Sequence, residues 1–147
     1  MAYYHGTTIQ YGQSIINSQK FTTSNKFCKY GKGVYFFPDE GETEKYIKLD
    51  LREDGVLLEA DVDISTFYHL NPDNFHQVLN DTNTTVNSLE AKTSTKKYMG
   101  TDWEDHFLKK GHKGLIVYGG ENNIVEYVVY DPSVILNIRP KKTVKVK

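Results

Sequence analysis

The run Tyr30-Gly31-Lys32-Gly33-Val34-Tyr35-Phe36-Phe37-Pro38 constrains the fold of this chain more tightly than any other stretch. Two glycines around a single lysine let the backbone turn sharply and come close to a neighbour. Val34 to Phe37 are all β-branched or aromatic, which predicts a short buried strand that Pro38 ends. Asp39, with Glu42 three residues on, has the pattern of a capping box for a helix carrying Thr43 and Tyr46. A corner, a strand and a helix start in so little chain predict one wall of a pocket.

The remaining elements follow from periodicity. Ala2 to His5 reads as a strand that Gly6-Thr7-Thr8 turns into a helix from Thr8 to Gln19, with Ile9, Ile15 and Ile16 at helical spacing. A polar loop from Phe21 leads to the glycine corner. After the turn signal Asp54-Gly55, Leu58, Ala60, Val62 and Ile64 alternate with Glu59, Asp61 and Asp63, predicting a strand with one buried and one wet face. Residues 65–100 form an inserted variable region with a short helix over Asp73 to Leu79. Thr101-Asp102-Trp103-Glu104 reads as a second capping box, opening a helix with Trp103, Phe107 and Leu108 that stops at Gly111. Strands Leu115–Tyr118, Asn123–Tyr130 and Val134–Ile138 crowd the end. Helices early and strands late predict an α+β fold with a largely antiparallel sheet, as a single domain over residues 1–147.

Composition removes several classes of function. With 38% hydrophobic and 25% charged residues the chain is an ordinary globular sequence, and a net charge of −1 gives no overall pull toward nucleic acid or membrane. The one basic concentration is Arg139-Pro140-Lys141-Lys142 with Lys145 and Lys147, a basic tail over residues 140–147 that reads as a solvated tail or edge strand ahead of a phosphate-binding arm. A lone Cys28 excludes an internal disulfide and a cysteine-based zinc site. A secretory signal and a membrane-spanning run are both lacking from the sequence, which predicts a cytoplasmic protein.

The common catalytic signatures fail in turn. The glycines around Lys32 precede a strand, where a dinucleotide fingerprint follows one, and no phosphate-loop Lys-Ser or Lys-Thr accompanies them. His5, His69, His76, His106 and His112 have no metal-ligand spacing, so no metal is expected, and no Gly-x-Ser-x-Gly marks a nucleophile. Glu126 stands apart. It interrupts the apolar run Ile124-Val125-Glu126-Tyr127-Val128-Val129, on the same side as Ile124 and Val128. A carboxylate on a buried face is costly unless it is paired or used; an edge position or another register would leave it wet.

Three separated segments together resemble the ADP-ribosyltransferases of the poly(ADP-ribose) polymerase, or diphtheria-toxin-like, branch, marked by a His-Tyr-Glu trio on three strands. Tyr4-His5-Gly6-Thr7 is similar to the first motif, Gly31-Lys32-Gly33-Val34-Tyr35-Phe36 to the second nearly letter for letter, and Val125-Glu126-Tyr127-Val128-Val129-Tyr130-Asp131 to the third. The resemblance implies a split antiparallel β-sheet core of two packed sheets with flanking helices. It implies NAD as co-substrate and no metal. His5 would hydrogen-bond the adenosine ribose, the Gly6 backbone the nicotinamide carboxamide, and Thr7 would lie near the adenosine. Tyr35 and Tyr46 would sandwich the nicotinamide ring, with Thr43 on its amide. Glu126 would hold the hydroxyls of the nicotinamide ribose. His5, Tyr35 and Glu126 are thus the catalytic trio that the resemblance implies.

The implied reaction is transfer of a single ADP-ribose, with release of nicotinamide, to a macromolecular acceptor, either a protein side chain or a nucleic-acid base. Arginine-directed relatives carry Glu-x-Glu; Ile124 stands at the first of those positions here, which disfavours arginine as acceptor. Small free-standing members resemble bacterial or phage toxin and defence effectors, which implies a neutralising antitoxin partner and no membrane. Two alternatives are a binding module that holds NAD or ADP-ribose without turnover, which an intact trio argues against, and an RNA 2′-phosphotransferase-like enzyme, which Glu126 argues against.

Overall fold

The computed structural model describes residues 2–21, 30–82, 103–118 and 125–146. The sequence-predicted loop with Cys28, the capping residues Thr101 and Asp102, and Ile124 lie outside the described residues, as do residues 83–100 of the inserted region. The chain divides into two compact units, one of residues 1–21, 36–63 and 132–147, the other of residues 22–35 and 64–131.

The first unit is built on a three-stranded sheet in the order β1 (Ala2–Thr8), β3 (Gly55–Val62), β7 (Ile135–Val144), antiparallel throughout. Helix α1 (Ile9–Ser18) starts at Thr8, whose hydroxyl accepts the Tyr11 N–H at 3.2 Å. Helix α2 (Glu40–Tyr46) runs straight into a π-helical turn, Ile47–Leu51. Its capping box does not form: Asp39 caps with its backbone carbonyl, which accepts from the Thr43 N–H at 3.3 Å, and its side chain makes no capping bond.

Two expectations for β3 and β7 need correction. Leu58, Ala60 and Val62 are buried as the alternation predicts, but Leu57 on the opposite face is buried too, packed with Ile47 and Val144; Ile64 falls outside the strand. The last strand does not stop at Ile138. It continues through the basic run to Val144 along the sheet edge, where Pro140 removes no hydrogen bond that an inner strand would need. Register shifts opposite Leu57/Leu58 and Glu59/Asp61, with Asn137 at φ 55°, let it bend past β3.

The second unit carries most of a four-stranded sheet, β2 (Val34–Phe36), β6 (Glu126–Val129), β5 (Gly114–Val117) and β4 (Tyr68–Leu70) in that order, Phe36 alone belonging to the first unit. Antiparallel pairing holds between β5 and β6, whereas β4 runs parallel to β5. Helices α3 (Phe75–Asp81) and α4 (Trp103–Lys109) lie between those two strands in sequence, in the long connection that parallel pairing demands. Trp103, Phe107, Phe75, Leu70, Leu115, Val117 and Val128 make the core of this unit. These elements define a mixed α+β protein with two sheets and several helices.

Candidate functional site

Five of the predicted site residues belong to the first unit. His5, Gly6 and Thr7 follow one another on β1, opposite Leu58, Leu57 and Val56. Strand alternation separates them. His5 and Thr7 share a face, and the half-buried His5 ring meets Phe21 edge-on at 5.1 Å and Phe36 at 5.6 Å. Gly6 faces the other side, where a Cβ would stand 2.7 Å from Ile47 Cγ1 and 3.2 Å from Tyr46 Cδ2. Only a residue without a side chain fits against this helix.

The edge of β1 also has a direction. Tyr4 exchanges both backbone hydrogen bonds with Phe37, each at 2.8 Å. Backbone groups alternate along a strand, so Gly6, two residues on, turns its N–H and C=O toward the same edge. A donor and an acceptor thus stand side by side next to the Tyr46 ring, the arrangement a carboxamide matches. Thr43 is fully buried one helical turn before Tyr46, and its hydroxyl donates to the Asp39 carbonyl at 3.0 Å. The oxygen's acceptor side is what it can offer beyond its own helix. Tyr4, on the Gly6 face, has its phenol pushed up by burial first and by the Glu59 and Glu40 carboxylates next.

Tyr35 and Glu126 belong to the second unit. Gly31 has φ 101°, a conformation that side chains strain to reach, and the corner is stitched by tyrosine hydroxyls. Tyr35 donates its hydroxyl to the Gly31 carbonyl at 2.9 Å and accepts the Tyr30 N–H at 2.9 Å, while the Tyr130 hydroxyl donates to the Tyr30 carbonyl. Across the corner, the Lys32 N–H donates to the Glu104 carboxylate at 3.2 Å. The Tyr35 ring stacks on Tyr30 with centroids 6.4 Å apart and packs against the unit's core.

Glu126 opens β6, an inner strand with β2 on one side and β5 on the other. It stands opposite Val117, a core residue, and directly opposed residues share a face. Its exposure is 9%, so the wet alternatives of an edge position or a shifted register do not apply. Tyr35, on the neighbouring strand, packs against the same core, which puts the aromatic ring and the carboxylate on one side of the sheet.

Sequence reasoning missed Ile47, the floor against which Gly6 and Tyr46 pack, and the paired hydroxyls of Tyr35 and Tyr130. The signal for Ile47 was present in its place directly after Tyr46 on an extended helical pattern. The hydroxyl bonds end on backbone carbonyls and amides, which no residue pattern reports.

Compared with models of known protein families, this chain matches none, and no curated protein sequence matches it. Among the described residues no helix is long and apolar enough to cross a membrane.

Proposed function

We propose that this chain is an NAD-dependent mono-ADP-ribosyltransferase of the His-Tyr-Glu branch, its two sheets being the split core of that fold. The observation that carries the proposal is Glu126, a carboxylate held at 9% exposure on the apolar side of an inner strand, beside the strand of Tyr35. Burying a carboxylate is costly unless it is paired or used, which makes Glu126 a candidate functional group. The paired backbone groups of Gly6 beside the Tyr46 ring add support, since they fit the flat amide and ring of nicotinamide.

In the proposed reaction the bond between the nicotinamide nitrogen and the ribose carbon breaks, and its electron pair leaves with nicotinamide. Positive charge develops on the sugar as in glycoside hydrolysis, and Glu126 stabilises it. A nucleophile of the acceptor then bonds to the same carbon and gives up its proton. The roles that the resemblance implies are Tyr35 and Tyr46 for the leaving ring, Gly6 and Thr43 for its amide, and His5 and Thr7 for the adenosine half.

A protein side chain is the preferred acceptor. Among the described residues, the tail lysines that would form a nucleic-acid arm are engaged: Lys141 with Glu40 at 3.5 Å, Lys142 with Glu44, and Lys145 with Asp54 at 3.5 Å. The test is incubation of the purified chain with NAD labelled in its adenylate, alone and with cell lysate. Nicotinamide release should fall on the order of 100-fold or more in Glu126→Gln, with NAD still bound. Unchanged release in that variant overturns the proposal; NAD binding without release under any acceptor favours the binding module; label removed by nuclease and not by protease makes the acceptor a nucleic acid.

A further inference from the structure

Helix α2 and the π-helical turn that continues it make one run over residues 40–51, short enough to be marginal by itself, and its first residues have no side-chain cap. Tertiary contacts order it, first with β1 and with the π-helical turn that continues it, and β7 adds to them in two layers. On the outside, Lys141 Nζ lies 3.5 Å from Glu40 Oε1, and Lys142 is ion-paired with Glu44, one turn further along the same edge of the helix. Inside, Val144 joins Ile47 and Leu57 in one apolar cluster, with Tyr46 and Val146 packed against it. The strand's end is fixed in turn to the corner before β3, where Asp54 accepts the Val146 N–H at 3.0 Å and pairs with Lys145.

We propose that the basic C-terminal strand is a strap for α2, and that Lys141 and Lys142 are positioning residues that set the affinity for the nicotinamide half of NAD through Tyr46 and Thr43. This rests on the reading of those two residues as nicotinamide contacts. The lysines touch neither ring nor amide; they hold the helix that carries both. Partly exposed ion pairs contribute little to global stability, so their loss should loosen α2 without unfolding the chain. That separation distinguishes a strap from a general stabiliser.

The experiment uses the full chain and three variants, Lys142→Glu, Glu44→Lys and the double swap. It reads thermal midpoint, amide exchange over Glu40–Tyr46, and the dissociation constant of NAD. Each single reversal should speed α2 exchange and weaken NAD binding about three- to fivefold, with the midpoint nearly unmoved, and the double swap should restore both. High salt should mimic the single variants in the native chain. Lys141→Gln provides a milder variant should either reversal fold poorly. Unaltered α2 exchange in the singles, or failure of the swap to restore it, overturns the strap. Altered exchange in a chain that binds no NAD in its native form keeps the strap and overturns the nicotinamide reading.

Discussion

A methyl group at Gly6 would sit 2.7 Å from Ile47 Cγ1, 3.1 Å from Cδ1 and 3.2 Å from the Tyr46 ring. Ile47 is fully buried and starts a π-helical turn, so it has little room to retreat. Gly6→Ala should therefore destabilise the first unit by about 1–3 kcal/mol, the usual range for overpacking, and displace Tyr46. Denaturant unfolding measures the first effect and NAD titration the second. Tyr35→Phe tests a different idea. It keeps the ring but removes the hydroxyl that binds the Gly31 carbonyl and the Tyr30 N–H, and should cost about 2 kcal/mol in denaturant unfolding. Equal stability of Tyr35→Phe and the native chain would mean that the corner holds its shape without that clamp.

Among the elements, β7 links sequence to pH. At its bulge, Asn137 Nδ2 donates to Asp61 at 2.8 Å, and Arg139 Nε donates to Glu59 at 2.9 Å with its other nitrogens 3.5 Å from Asp61. The Asn137 hydrogen bond chiefly, and the Arg139 charge after it, hold the Asp61 carboxyl below its ordinary value. A carboxyl depressed in the folded state contributes stability above its unfolded pKa and loses that contribution as pH falls through the folded one. The native chain should thus lose thermal stability in acid as Asp61 protonates. Asn137→Gly, which tolerates the left-handed backbone, should bring the Asp61 titration back toward the ordinary aspartate range, as carboxyl NMR would read it.

Elements differ in how far the sequence discloses them. Val34–Phe36 and Gly55–Val62 announce themselves through β-branched and alternating apolar residues. Tyr68–Leu70 does not: three residues with an exposed histidine in the middle give no period, and the strand exists through its partner, Leu115–Val117. The lysine half of β7 hides for a related reason, since backbone pairing with Gly55–Leu57 orders it and Val144 anchors it. At the site, the buried side of Glu126 is legible because Val128 shares it, whereas the backbone partners of Tyr35 are not, because pattern carries no geometry.

At the scale of the whole molecule, the chain leaves the first unit for the second twice, over residues 22–35 and again over residues 64–131. Strand β3 takes β1 on one side and β7 on the other, and residues 64–131 intervene before β7. Deleting the chain from Lys141 onward should leave Leu57 and Ile47 without Val144. That truncation should cost more stability than any single lysine replacement, as thermal melts of the two variants would show.

The same arrangement sets an order of events during synthesis. A ribosome delivers β1, α1, α2 and β3 early, yet the three-stranded sheet stays one strand short until β7 has emerged. Through that interval the edge of β3 that β7 will occupy is open to any other extended chain, and closing the sheet needs a contact of long sequence separation, which is slow. The nascent protein is therefore most exposed to mispairing after its second unit has been made and before its last strand arrives. A chain stalled at that point is the form a holding chaperone would recognise.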